Sequence, residues 1–288
     1  MSKYEKLQIN IDKLKVCYKQ PEGLFQEFYT KYEVTSFIDR FDYKLHLINK
    51  EDDLLILDVI LNDNSLLGTL NLNNSKKYEG LCFFSFANKP LYTPLSMVNN
   101  EKHNFIPCID FIADDLGLEF NTITRAEIAV DTINNLIYKT LKLIRDINKP
   151  MYANGKKVDD KKIENYFEVY SRTRKKKDKH PTLYFSMAKE GSPKMRIYDK
   201  SEEIKANLNQ KEYINEWNNF GNKTTYRCEV VITSNYFKEW YKKYGKDMYP
   251  LNVFCDESML FSLWLEYVDR LVYFKNEQGN KISIIDLI

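Results

Sequence analysis

The sequence predicts an α+β fold: largely antiparallel, curved β-sheet or sheets with helices packed on one side. Three observations carry this expectation. The first third alternates apolar and polar residues with a period of two, broken by turn-forming clusters, as an antiparallel meander does. Longer segments repeat apolar residues at helical spacing, mostly in the second half. No Gly-, Pro- or Ser-rich linker and no low-complexity tract interrupts the 288 residues. The chain therefore reads as a single unit, or as two sheet-containing halves of about 1–120 and 121–288.

Each element follows from local pattern. Leu7-Gln8-Ile9-Asn10-Ile11 and Tyr43-Lys44-Leu45-His46-Leu47 alternate, and Leu54–Leu61, Leu66–Leu72 and Gly80–Ala87 follow as further strands. Asn62-Asp63-Asn64 and Asn73-Asn74-Ser75 supply turns between them. Phe105–Leu118 reads as a helix with Ile109, Ile112 and Leu116 on one face. Ile123–Asp131 is a strand, and Asn135–Ile147 an amphipathic helix carrying Ile137, Leu141 and Ile144. Tyr166–Tyr170 and Thr182–Met187 are strands separated by a basic run. Lys194–Tyr198 is another strand, followed by a helix to about Trp217. A strand over Thr225–Thr233 precedes two helices, Ser234–Tyr244 and Ser258–Phe274.

Composition removes several function classes. Hydrophobic residues are 43% and charged residues 29%, enough apolar content for a packed core. No run of about 18 apolar residues exists to span a membrane, and Met1–Lys13 does not read as a signal peptide. The five cysteines stand singly with no CxxC pair, against a disulfide framework or structural zinc and in keeping with a reducing cytoplasm. His46, His103 and His180 share no short motif, so a histidine-built metal site is not expected.

The net charge of +2 hides a strong asymmetry. Residues 151–200 hold fourteen Lys and Arg against seven Asp and Glu, leaving the remainder of the chain acidic. Much of the excess lies in Arg172-Thr173-Arg174-Lys175-Lys176-Lys177-Asp178-Lys179. Such a run suits a polyanion, because clustered cations release the counterions condensed on phosphates. A solvated loop with no ligand is the equally ordinary alternative.

Strand alternation gathers polar residues in three places. In Thr124–Asp131, Arg125, Glu127 and Asp131 share one side; in Thr225–Val231, Arg227 and Glu229 do. In Lys194–Lys200 the apolar Met195 and Ile197 leave Arg196, Tyr198 and Lys200 presented together. Glu127, Asp131 and Glu229 would converge on a hard divalent cation, Mg2+ or Mn2+, if their strands are neighbours. The alternative is a pair of same-strand ion pairs, Arg125 with Glu127 and Arg227 with Glu229. Tyr198 is one of 21 tyrosines, and a phenol titrating at about 10 needs help to act as a nucleophile. Arg196, Lys200 and a nearby metal would supply it. Asp199 should point the other way and cap the following helix through Asp199-Lys200-Ser201-Glu202.

Taken together, Thr124–Asp131, Thr182–Lys200 and Tyr226–Val231 resemble the replication initiation factor family, the Rep_trans-type rolling-circle replication initiators and relaxases. An Arg-x-Asp-x-x-x-Asp strand of that family is matched by Arg125, Glu127 and Asp131. Its Leu-Tyr strand and Arg-x-Tyr-Asp-Lys motif are matched by Leu183-Tyr184-Phe185 and Arg196-Ile197-Tyr198-Asp199-Lys200, with Glu202 or Glu203 downstream. A later Arg-x-Glu strand is matched by Arg227 and Glu229. The similarity runs over roughly residues 120–235, in order and spacing. Glu127 replaces the commoner aspartate, and Gly191-Ser192-Pro193 precedes Lys194 where the family more usually has a glycine after the Leu-Tyr strand.

The resemblance implies a metal-dependent tyrosine DNA nickase of a plasmid or mobile element, in a bacterial cytoplasm. Tyr198 would form a 5′-phosphotyrosine with Arg196 and Lys200 beside it. Glu127, Asp131 and Glu229 would hold Mg2+ or Mn2+, and Arg125, Arg172, Arg174, Lys175, Lys176, Lys177 and Arg227 would contact DNA. Expected partners are origin or nick-site DNA, single-stranded or an extruded hairpin, with a host helicase and a second copy of the chain as further candidates. No membrane partner is expected. A non-catalytic sequence-specific DNA-binding protein and an α+β enzyme unrelated to nucleic acid are the rivals. Histidine-cluster nickases and tyrosine recombinases fit poorly, for want of their histidines.

Overall fold

The computed structural model describes residues 7–95, 105–170, 180–187, 191–207 and 210–288. Strand β1 (Leu7–Lys19) and helix α1 (Leu24–Lys31) open the chain, followed by β2 (Phe37–Asp39), β3 (Tyr43–Glu51), β4 (Leu54–Leu61), β5 (Leu66–Asn73) and β6 (Leu81–Phe86). Helix α2 (Phe105–Asp115) leads into β7 (Glu119–Thr132), α3 (Leu136–Ile144), β8 (Met151–Ala153) and β9 (Lys156–Lys157). Then come β10 (Phe167–Tyr170), β11 (Thr182–Ser186), β12 (Lys194–Asp199), α4 (Lys200–Ala206), α5 (Tyr213–Asn218) and β13 (Tyr226–Thr233). Helices α6 (Ser234–Tyr244) and α7 (Glu257–Leu271) and strands β14 (Tyr273–Lys275) and β15 (Lys281–Ile282) close it. The fold is α+β with antiparallel pairing, as the sequence indicates.

The chain divides into two compact units, the boundary cutting the two longest strands, β1 and β7. One unit holds Asp12–Ala126 and Lys246–Cys255. Its strands pair in the order β1-β6-β5-β4-β3-β2, the meander expected from sequence. Alternation explains it: β4, Leu-Leu-Ile-Leu-Asp-Val-Ile-Leu, buries Leu55, Leu57, Val59 and Leu61 on one face. Each such side chain contributes about 1.5–3 kcal/mol on leaving water. Gly68 in β5 cannot be replaced without cost, since a Cβ there would lie 2.4 Å from the Ser85 carbonyl oxygen.

The other unit holds Met1–Ile11, Glu127–Gly245 and Asp256–Ile288. Its main strands run β10-β11-β12-β13-β7-β1, and a small sheet runs β15-β14-β8-β9. Asn154 and Gly155, with φ of 48° and 76°, make the tight β8–β9 turn. Helices α3 and α7 pack against β12 and β13, and the Trp264 indole of α7 donates to the Cys228 carbonyl at 3.2 Å. Met195, Ile197, Cys228 and Val230, all buried, share the apolar side of these two strands.

Several sequence expectations change at element ends. The helix expected to run to Trp217 is two helices, α4 and α5. The last helix stops at Leu271 because Val272 turns extended, and Tyr273–Lys275 forms a strand of the small sheet. Asn135 caps α3 by accepting from the Tyr138 amide at 2.9 Å, and that helix ends at Ile144. Among the described residues no helix is long and apolar enough to cross a membrane.

Candidate active site

The site is built on the polar face of β11, β12 and β13. Strand register sets Tyr184 opposite Arg196, Arg196 opposite Glu229, and Tyr198 opposite Arg227. Directly paired residues on one face bring their Cβ atoms within about 5 Å. The Arg196 guanidinium donates from Nε to Glu229 Oε1 at 2.8 Å, and its Nη2 lies 2.6 Å from the same oxygen. Nη2 also lies 3.7 Å from Glu127 Oε2 of β7. The Tyr198 hydroxyl donates to the other Glu229 oxygen, Oε2, at 3.1 Å. Arg196 Cζ stands 5.1 Å from the Tyr198 ring centre and Lys200 Nζ 5.8 Å from it, so two cations flank the phenol.

Electrostatics binds this group together. Burial works against a charge on Arg196, but Glu229, Tyr198 and Glu127 outweigh it and hold the guanidinium more firmly protonated than usual. Glu127 and Glu229 are themselves buried, and a buried carboxylate persists only with cationic or hydrogen-bonding partners. Both carboxylates converge on Arg196 Nη2, at 2.6 Å for Glu229 and 3.7 Å for Glu127, and paired hard anionic side chains of this kind suit a divalent cation such as Mg2+ or Mn2+.

Asp131 and Arg227 are corrections to the expected roles. The two form a bidentate pair, Arg227 Nε to Asp131 Oδ1 at 2.6 Å and Nη2 to Oδ2 at 2.7 Å. Asn218 Nδ2 donates to Oδ2 at 2.8 Å. Arg227 is completely buried, so the DNA contact does not fit it, and freeing Asp131 for a metal would strand that buried charge. On β13 the Arg-x-Glu residues reach across to neighbouring strands. Arg227 bonds across to Asp131, and Glu229 bonds across to Arg196.

Lys200 is not held out beside Tyr198 on the strand face. It begins α4, is fully buried, and pairs with Glu203 Oε2 at 2.5 Å. Burial alone would raise the Glu203 carboxyl, yet Lys200 and Lys211 hold it below the usual range. Asp199 is the N-cap, accepting from the Glu202 amide at 3.0 Å, and its second oxygen lies 2.8 Å from His180 Nδ1. Arg125 is exposed on β7. Arg172, Arg174, Lys175, Lys176 and Lys177 lie outside the described residues.

No protein-family model matches the chain, and no curated protein matches it. Among solved structures it is similar to a rolling circle replication initiator protein from Geobacillus stearothermophilus. The two share 12% identity over 94% of this chain and 87% of that one, with a TM-score of 0.49.

Proposed function

We propose that this chain is a metal-assisted DNA strand-nicking and rejoining enzyme, a rolling-circle replication initiator or relaxase that attacks with Tyr198. The observation carrying the reading is the 3.1 Å bond from the Tyr198 hydroxyl to Glu229. It ties a phenol, on a motif resembling the Arg-x-Tyr-Asp-Lys segment of that family, to a carboxylate that stands beside Glu127 and suits a metal.

The chemistry is a transesterification. The Tyr198 oxygen forms a bond to phosphorus as the bond from phosphorus to the 3′ oxygen breaks. Glu229 Oε2, already accepting the phenolic hydrogen, takes the proton, and one proton is returned to the leaving oxygen to give a 3′-hydroxyl. Arg196 steadies the phosphate beside the phenol. A divalent ion held by Glu127 and Glu229 would polarise the phosphoryl oxygens and offset their developing charge. One ester replaces another, so rejoining needs no nucleotide cofactor. Lys200, braced by Glu203, keeps a positive field near the Tyr198 ring without touching substrate.

A non-catalytic role has one observation in its favour: Tyr198 is only 8% exposed, as a packing tyrosine would be. The two readings part on a covalent product. Supercoiled plasmid libraries and random single-stranded oligonucleotides, incubated with Mg2+ or Mn2+, should yield protein attached to 5′ ends through tyrosine. Binding without any covalent adduct in either metal would sink the nickase reading and leave DNA binding alone.

A further inference from the structure

The polar row of the site does not end at Arg196. Strand register continues it outward, through Tyr184 on β11 to Glu168 on β10. Exposure rises along the row: Glu229 is fully buried, the Arg196 side chain 38% exposed and Tyr184 40% exposed. Tyr170, on the same face of β10, is 58% exposed, and its ring meets that of Tyr184 edge-on at 6.4 Å. The core does not need these two rings. The opposite face of the same strands buries Leu183 and Phe185, with Phe167 against Phe185 at 5.0 Å between ring centres.

Two aromatic faces left at the surface, directly outward of an arginine placed to hold a phosphate, have a specific use. We propose that Tyr184 and Tyr170 form a stacking platform for the bases of single-stranded DNA, with Tyr184 receiving a base adjoining the phosphate at Arg196. The inference rests on the nickase reading for the position of that phosphate. Aromatic side chains on strands are stiff, so little entropy is lost when a base lies on them. Only unpaired bases offer a free face, which makes the occupant a single strand rather than a duplex. Charge agrees with a polyanion. The segment joining β10 to β11, residues 171–181, carries six Lys and Arg against one Asp. Glu168, the one acid in the row on these two strands, lies at its outer end.

The test compares wild type with Tyr184→Ala, Tyr184→Phe and Tyr170→Ala, using fluorescein-labelled oligothymidylate, a duplex of equal length, and strands carrying 2-aminopurine. Tyr184→Ala should weaken single-strand affinity between about 5-fold and about 150-fold, the range expected when one base stack is removed. It should abolish the 2-aminopurine quenching and leave duplex affinity and the melting temperature near wild type. Tyr184→Phe keeps the ring and should keep both binding and adduct formation. Unchanged single-strand affinity in Tyr184→Ala would overturn the platform, as would parallel losses on duplex. Loss of adduct in Tyr184→Phe with binding intact would make its hydroxyl the nucleophile and overturn the stacking role. Tyr184-dependent stacking without any adduct in wild type would sink the nickase reading alone; adduct formation with Tyr184-independent binding would sink the platform alone.

Discussion

Glu229 serves Arg196 and Tyr198 through different oxygens, Oε1 for the guanidinium and Oε2 for the phenol. This division lets one buried carboxylate orient the cation and receive the phenolic proton without exchanging partners. It also sets what removal of the phenolic oxygen should do. Tyr198→Phe should abolish adduct formation and leave DNA affinity within about twofold, because no DNA contact is assigned to the hydroxyl. Stability should fall by no more than about 3 kcal/mol, the upper range for one hydrogen bond to a charged group. Denaturing gels of reactions with labelled oligonucleotide read the adduct, and a surviving adduct would assign the nucleophile elsewhere.

A second prediction separates the carboxylates. Glu127→Gln and Glu229→Gln should each weaken Mn2+ binding, followed by calorimetry or electron paramagnetic resonance. Each reduction should exceed the roughly 10- to 100-fold typical of outer-shell partners. Asp131→Asn should leave the metal affinity of whatever protein remains folded unchanged, since freeing Asp131 for a metal would strand the fully buried Arg227. Equally weakened Mn2+ binding in all three variants would restore Asp131 to the metal site.

The contrast shows where the sequence was readable. Period-two alternation located β3 through β6 and the polar face of β12, because side-chain period is a local property of the strand. It could not pair the strands. Glu127, Asp131, Arg227 and Glu229 all looked alike as polar residues on alternating positions. Only register across β12 and β13, and the neighbouring β7, sorts them into a metal-capable group and a closed ion pair. The Asp199 cap was legible because it depends on residues within one helical turn.

A third prediction concerns pH. Glu203 is held below the usual carboxylate range by Lys200 and Lys211. A depressed carboxyl contributes stability above its unfolded pKa and loses it as pH falls through its folded pKa. Melting temperature should therefore drop more steeply with acidification in wild type than in Glu203→Gln, from roughly pH 5 downward. Parallel acid limbs for the two proteins would show that the pair carries no net stability.

A fourth concerns the basic run. Replacing Arg174, Lys175, Lys176 and Lys177 with alanine should weaken binding to all DNA sequences about equally. The slope of log K on log salt should flatten by about 0.7 to 0.9 for each phosphate that the variant no longer neutralises. An unchanged slope would leave the run without a DNA role, whatever its charge.

The last prediction takes up the pair that the sequence misassigned. Arg227 and Asp131 are both buried, so neither charge can be removed alone without stranding the other. Asp131→Ala or Arg227→Ala should cost about 3–5 kcal/mol, and at about 2–4 °C per kcal/mol for a chain of this size, melting falls by on the order of 10 °C. Asp131→Asn should be intermediate, since an amide can still accept from the guanidinium but leaves its charge uncompensated. The double variant Asp131→Leu with Arg227→Met removes both charges and replaces them with apolar volume. It should recover much of the stability, because a buried pair replaced as a pair no longer incurs desolvation. Adduct formation by the double variant at low temperature should approach wild type, as the Arg227 guanidinium and the Asp131 carboxylate serve each other. Thermal melts of the four variants beside wild type, together with adduct yield at about 10 °C, make the comparison. A double variant that melts like wild type yet forms no adduct would return one of the two residues to the chemistry.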